Sequence, residues 1–472
     1  MFIDKRTDMI KKRLALGLIA VNVLFCISQT IGQTVIDPLV KSAIHATFQT
    51  NKDIILKSYD VDKTNLELDG VNANRRPHVS ATGLYGYIHS NGSLDLPAVE
   101  LPLLGESLFS GVTDFRMSTQ AAYAGVSVRQ VIFSGLQIPN GQQALKHKAI
   151  AQQYLVEASK EEIAKDIATT FDQLMLLDQV DKLIQDSQKR LQKEQLKVNK
   201  GIENGLAIPY DRDKLKLALL ELEQKKAESA GNRDLLVKKL QQISGLPSTQ
   251  VEQVRYELSP VFLALDSTQV QDRSEIKALD ASEKAYDYLL KKERGGVLPM
   301  VFAFGSASYL NLHNTNLTIK DQPLVGDLDL SSNYLKGRPN LMVGVGLKWD
   351  IYSGGAHKNK LRQVELDQSM NATKRADAQE KLALLLAKNK VSYQTANQKL
   401  NVSEQQIKVA SNNLKIASRQ LDAGLIDVTE LLASENEWYK VNVSYFSNII
   451  AQRSSVLELL HASGNLMSVI NE

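Results

Sequence analysis

The strongest constraint on this 472-residue chain is that it repeats itself. The segment Gly125-Val-Ser-Val-Arg-Gln-Val-Ile-Phe-Ser-Gly135 aligns with Gly344-Val-Gly-Leu-Lys-Trp-Asp-Ile-Tyr-Ser-Gly354, an offset of 219. At the same offset Lys200-Gly-Ile-Glu-Asn-Gly-Leu206 falls on Arg419-Gln-Leu-Asp-Ala-Gly-Leu425, and Ser244-Gly245 falls on Ser463-Gly464. Upstream, Pro77-His-Val-Ser-Ala-Thr-Gly83 matches Pro299-Met-Val-Phe-Ala-Phe-Gly305 at an offset of 222. The three-residue difference belongs between the two strands of each half, where a loop absorbs it. Self-similarity at a fixed period means one structural unit used twice. Each half reads as helix, strand, loop, strand, very long helix, tight turn, shorter helix. Duplication is equally open to a cytosolic coiled-coil scaffold, but a plain coiled coil has no use for strands midway along each half.

The helices are long because little interrupts them: the chain has 11 prolines and two tryptophans, and long tracts lack any breaker. In the second half Tyr393, Ala396, Leu400, Ser403, Ile407, Ala410, Leu414, Ala417 and Leu421 recur at threes and fours. That is a heptad seam for knobs-into-holes packing, with small residues alternating with large. In the first half Leu177, Ile184, Leu191 and Val198 recur every seven residues. A helix over 136–204 runs about 100 Å at 1.5 Å per residue. The return helices are about half as long, so each needs a short helix stacked on it, and the segments before Pro77 and Pro299 can supply one.

These patterns predict a first repeat over 33–245, with strands near 78–90 and 118–133, a long helix at 136–204 and a return helix at 210–244. A linker at 246–270 leads to a second repeat over 271–472, with strands near 299–310 and 340–352 and helices at 355–423 and 428–463.

The strands carry a membrane argument. Leu341, Val343, Val345, Leu347, Trp349 and Ile351 alternate with Met342, Gly344, Gly346, Lys348 and Asp350. Period-two alternation over about ten residues is what a barrel strand between lipid and water requires. Leu341, Val343, Val345, Leu347 and Trp349 are the expected lipid-facing set. The matching set in the first half, from Ala122 through Val126 and Val128 to Ile132, is weaker. An ordinary sheet on a soluble core alternates in the same way. Four strands cannot close a barrel, and lipid tolerates no open edge; three copies would supply twelve.

The N-terminus places Lys11-Lys12-Arg13 before an apolar run, Leu14 to Ile27, and the polar Ser28-Gln29-Thr30. That order predicts a secretory signal over 1–32. The only cysteine, Cys26, lies inside it, so the mature chain is expected to have neither a disulfide framework nor a cysteine-ligated metal. Phe25 is bulky where a lipoprotein site takes a small residue, which argues against lipidation of Cys26. Without 1–32 the mature chain balances its charges, and no nucleic-acid footprint remains.

In order and in doubling these features resemble the TolC-type outer-membrane factor family, over nearly the whole mature chain. The motifs are the helix ending at Pro77, Phe133-Ser134-Gly135 and Tyr352-Ser353-Gly354, and Gly424-Leu-Ile-Asp-Val-Thr-Glu-Leu-Leu432 before the last long helix. The resemblance implies a mainly α fold with β, in which two repeats of long helices form a coiled-coil barrel. It implies a homotrimer whose four strands per chain close as a 12-stranded membrane barrel. It further implies an equatorial belt near 246–270, a place in the outer membrane of a Gram-negative bacterium, and a long periplasmic portion. The implied partners are a periplasmic adaptor (membrane fusion protein), an inner-membrane transporter and outer-membrane lipid.

In that family the periplasmic entrance narrows at the helix-turn-helix tips, here near 200–213 and 419–437. The second tip holds Asp422, Asp427, Glu430, Glu435 and Glu437 with Arg419 as the base nearby in sequence. Rings of acid favour cations. Glu430 falls where the family places one gate aspartate, and Asp211 in the related place of the first half. The second gate aspartate is replaced by Ala433, the gate tyrosine by Leu421 and the gate arginine by Ile426, so part of the usual ion-pair latch is missing while the turn survives. A solvated helix-tip charge is the plainer account of each acid. Gly205 and Gly424 are expected at the two reversals, where positive φ is needed.

The seven histidines form no ligand spacing, Gly344-Val-Gly346 lacks the third glycine of a dinucleotide loop, and no nucleophile elbow occurs. The expectation is therefore a passive efflux or secretion channel subunit with no cofactor and no enzymatic activity. A periplasmic coiled-coil scaffold or surface adhesin is the alternative.

Overall fold

The structure, a computed structural model, describes residues 35–97, 111–263, 273–322 and 325–472. The expected signal segment and Cys26 lie outside the described residues. The chain divides into two compact units, one of Met1–Tyr59, Gln153–Ala278 and Arg375–Glu472, the other of Asp60–Gln152 and Leu279–Lys374.

The first unit is helical. Its elements come from α1 (Pro38–Thr50), α2 (Lys52–Ala73), α3 (Gln137–Glu203), α4 (Pro209–Ser244), α5 (Ser248–Gln253), α6 (Ser274–Arg294), α7 (Ala356–Asp422), α8 (Val428–Ala462) and α9 (Leu466–Asn471). The seam on α7 faces inward: Tyr393, Leu400, Ser403, Ala410, Leu414 and Ala417 are all buried, with Ile407 and Leu421 half-buried. A strict seven-residue repeat keeps one stripe toward its neighbours along the whole helix.

Part of the expected linker is pinned across this unit. Gln452 accepts from the Val261 amide at 3.1 Å and also donates to the Val261 carbonyl. Arg453 donates to Asp172 at 2.9 Å and to the Ser259 carbonyl at 3.1 Å. Tyr256 adds its hydroxyl to Asp172 at 2.6 Å. Burial, and then the Asp172 charge, push that phenol well above its ordinary range. Residues of α1 and α9, among them Ile44 and Ile470, join Val261 in the same apolar cluster.

The second unit holds one antiparallel sheet: β1 (His78–Leu96), β2 (Gly111–Phe133), β3 (Met300–Gln322), β4 (Gly326–Lys336) and β5 (Asn340–Lys348). Its order is β1-β2-β3-β4, with β5 also paired to β3. The repeat is kept residue by residue. Val79 pairs with Val128 and Val301 with Leu347; Ala81 pairs with Val126 and Ala303 with Val345. These pairs differ by the offsets of 222 and 219 seen in the sequence.

The strands differ from expectation in two ways. They run on past the predicted limits near 90, 118 and 310 to Leu96, Gly111 and Gln322. The last strand, expected to reach 352, ends at Lys348 and is preceded by a separate arm, β4, across Gly337-Arg338-Pro339. The Gly337 amide donates to Leu310 at 3.0 Å, and a Cβ there would run into that same carbonyl. Pro339 has no amide to give the ladder.

Candidate functional site

Two features offer chemistry: the helix tips and the two faces of the sheet. At the tips both reversals use one geometry. The Leu206 amide donates to the Gly201 carbonyl at 2.7 Å, and the Leu425 amide to the Gln420 carbonyl at 2.8 Å. Gly205 and Gly424 take φ of +68° and +71° with open space beside them. The conformation, not the room, requires glycine there.

The acids of the second tip do not share one fate. Asp427 caps α8, accepting the Glu430 amide at 3.0 Å and the Thr429 hydroxyl at 3.2 Å. The Glu430 amide holds its carboxyl below the ordinary range. Asp422 is paired with Lys197 at 2.6 Å. Glu435, 4% exposed, takes both nitrogens of the Arg190 fork at 2.6 and 2.9 Å. That guanidinium also lies 4.0 Å from the centre of the Trp438 ring. Glu430 and Glu437 are exposed, and Asp211 is half-buried in the first turn of α4.

The picture of five acids beside a single base therefore needs correction. Arg190 and Lys197 come from α3, more than 220 residues away, and the Lys214 ammonium from α4 reaches Thr429. A cavity of about 430 Å³ beside the Arg190–Glu435 pair is further lined by Lys193, Lys415 and Arg419. No local pattern reveals such partners; the heptad spacing, which puts Leu191 and Leu414 in the core, only implies that residues beside them meet. Leu421 and Ile426 are half-buried against Leu414, Ala417 and Leu431, so within the chain they hold the hairpin's own core.

On the sheet, paired residues share a face. The face bearing Leu341, Val343, Val345 and Leu347 also carries Ala307, Gly305, Ala303 and Val301, then Val126 and Val128, then Ala81 and Val79. Val343 is 77% and Val345 69% exposed. Trp349, past the end of β5, donates its indole N–H to the Val297 carbonyl at 3.0 Å. Tyr85, Tyr87 and Tyr309 stand on the same face toward the opposite end. From Val301 to Tyr309 is about 27 Å along the strand at 3.4 Å per residue, near the height of the apolar band of a membrane barrel. The other face is mixed at this level: Ser80, Ser127 and Ser306 lie at its middle, with the Ser80 and Ser127 hydroxyls 2.8 Å apart, and toward the helices Phe302 and Phe304 lie beside Gly346 and Gly344 with Arg129 4.0 Å from the Phe302 ring.

The sheet thus has one exposed apolar face and one mixed face, and the helices have matched tips. Residues 267–465 match the family model described as outer membrane efflux protein. The chain carries an outer membrane efflux protein domain. The internal repeat extends the architecture of that domain into the first half. Among solved structures, a membrane protein from Pseudomonas aeruginosa is 12% identical with a TM-score of 0.70, over 92% of this chain and 95% of that one. The Campylobacter jejuni CmeC outer membrane channel is 13% identical with a TM-score of 0.68, over 91% and 86%. The open state of the Neisseria gonorrhoeae MtrE outer membrane channel is 13% identical with a TM-score of 0.65, over 91% and 90%. At such identities the likeness is one of fold. No curated protein matches the chain.

Proposed function

We propose that this outer membrane efflux protein is one third of a passive duct across the outer membrane of a Gram-negative bacterium. The three copies close a 12-stranded barrel and surround a helical tunnel on the periplasmic side. The duct has no enzymatic activity; a periplasmic adaptor and an inner-membrane pump supply cargo and energy. The observation that carries this reading is the apolar face centred on Val343 and Val345, flanked by sheet edges without a partner among the described residues. Lipid tolerates no such edge, and an adhesin or a periplasmic scaffold has no use for an apolar outer band.

The repeat gives the closure a register. Within the chain Val126 pairs with Ala307 across the boundary between repeats. The offsets of 219 and 222 carry that pair to Val345 and residue 85. A subunit's β5 therefore lies along β1 of the next, Val345 opposite Tyr85 of the partner subunit. Val345→Cys with Tyr85→Cys should trap disulfide-linked dimers and trimers, whereas either cysteine alone gives monomers. Trimers in a planar bilayer should pass small cation-selective currents. Absence of both the cross-link and the current from folded protein would overturn the duct.

At the tips Asp427, Glu430 and Asp422 would supply the acid ring, with Asp211 from the first repeat, while Leu421 and Ile426 keep the closed form packed. Asp427→Asn with Glu430→Gln removes two charges per copy and retains a capping residue. Cation selectivity should weaken; unchanged selectivity would reassign these acids to solvated helix ends.

A further inference from the structure

The sheet is longer than a membrane needs, and its two faces exchange character along its length. A membrane strand takes about ten residues, whereas β1 has 19 and β2 and β3 have 23 each. Beyond Tyr87 the outer face turns polar: Thr318 donates to Asp329 at 2.6 Å, and Arg116 stands between Asn91 and Thr318. The inner face does the reverse from the level of Ser80, Ser127, Ser306 and Ser308 outward. From Leu84 outward it becomes apolar, and near the tip Phe115 lies between Ile319 and Gly92, Met117 beside Leu317, and Leu317 beside Leu330.

The change is built into the backbone. Asn314, at a φ of +47°, adds one residue to β3 opposite Thr119. Inner-facing positions of β3 thereby pass from even numbers, Leu310 and Leu312, to odd ones, Thr315, Leu317 and Ile319. The Thr119 and Thr315 hydroxyls, 2.8 Å apart, mark the level. A Cβ at Gly92 would meet the Phe115 ring at 3.0 Å, so glycine leaves room for that ring on the inner face.

Within one chain this apolar face is incompletely covered. A cavity of about 250 Å³ opens among Leu94, Thr113, Phe115, Leu317 and Ile319. Leu94 is 51% and Leu330 49% exposed. A polar outer face at the same level shows that the sheet has left the lipid there, so lipid is not what covers the inner side. We propose that its cover is the same face of the other two copies, meeting across the lumen as an apolar constriction at the outer mouth, separate from the helix tips. The proposal rests on the barrel reading above.

Barrel width allows this. Eight strands leave an interior that side chains fill, and sixteen to eighteen leave an open channel. Twelve strands stay open where small residues such as Ser80, Ser127 and Ser306 line them, and narrow where large apolar side chains do, as at Phe302 and Phe304 near the helices and again at Phe115, Met117, Leu317 and Leu330 near the tip. Apolar constrictions restrict ions by excluding water, so the mouth keeps the ion current small and yields to bulky apolar cargo.

The test uses full-length protein in outer membranes and a short bismaleimide. Leu330→Cys should shift from monomer to dimer and trimer bands and resist a water-soluble maleimide. Its neighbour Asp329→Cys, on the outer face, should label and stay monomeric. The Val345→Cys, Tyr85→Cys pair reports barrel closure separately. Closure with Leu330→Cys labelled as fast as Asp329→Cys and not cross-linked would overturn the constriction and leave the duct standing. Failure of both cross-links would overturn both. Independently, Leu317→Ser with Leu330→Ser should raise single-channel conductance severalfold over the parent, and equal conductance would count against the constriction.

Discussion

Gly135 and Gly295 are locked backbone to backbone: a Cβ on Gly135 would lie 2.6 Å from the Gly295 carbonyl oxygen, and one on Gly295 would fall on the Gly135 carbonyl oxygen. Gly135 also needs its φ of +62°, and its counterpart in the second repeat, Gly354, repeats it at +60° in open space. Gly295→Ala should therefore overpack the start of α3 against the end of α6, at about 1–3 kcal/mol. Gly231→Ala, in the interior of α4 with nothing near its added methyl, should stabilise by about 0.5–1 kcal/mol. Denaturant midpoints of the two variants should move in opposite directions.

The Arg190–Glu435 pair predicts unequal costs for the tip carboxylates. The Glu435 side chain is 6% exposed and Arg190 37%, so Glu435→Gln leaves a partly desolvated guanidinium with one weaker partner, at about 1–3 kcal/mol after allowance for screening. Lys197 and Asp422 are 41% and 53% exposed, so Asp422→Asn should cost under about 1 kcal/mol. A double-mutant cycle on each pair should rank them in that order, and high salt should erase the second before the first.

How far the sequence could be read depended on the range of the forces involved. Period two and period seven are local, so Val343, Val345, Leu400 and Leu414 announce their faces without help. Turn glycines do the same, because positive φ is a property of one residue. Arg190 and Lys197 stayed hidden because an ion pair across 245 or 225 residues leaves no local trace. The outer halves of the strands stayed hidden for another reason. At Asn314 the alternation slips by one residue, so a reader counting in twos loses the face at the point where the fold inverts it.

His461 gives the helical unit an acid-sensitive element. Burial first, then the charges of Arg273 and Lys165, hold its imidazole down to about 3, against 6.5 when unperturbed. The folded chain thus keeps it neutral where the unfolded chain takes up a proton. Its contribution is whole above the unfolded value and is lost as pH falls from 6.5 toward the folded value. The slope is at most about 1.4 kcal/mol per pH unit. Glu161 works the opposite way: burial raises its carboxyl, so its cost is relieved on acidification. Urea midpoints at about pH 7.5 and about pH 4.5 should differ less in His461→Gln than in the parent. An identical loss would assign the acid response to other groups.

The two faces of the sheet make the sharpest single-residue comparison. Val345 and Ser306 lie on adjacent strands, and Val345 pairs with Ala303 on the outer face while Ser306 pairs with Met342 on the inner one. Arginine at Val345 would sit in the apolar band, where a barrel loses about 2–4 kcal/mol at mid-depth and nearly nothing at the rim. Arginine at Ser306 meets a face whose neighbours are Ser127 and Met342, which in the proposed barrel faces the water of the lumen. Heat-modifiable trimer should fall sharply for Val345→Arg and persist for Ser306→Arg, with its current shifted toward anions. Equal assembly of the two would mean that the Val345 face meets no lipid, because an arginine held at mid-depth in a bilayer cannot be as cheap as one in water.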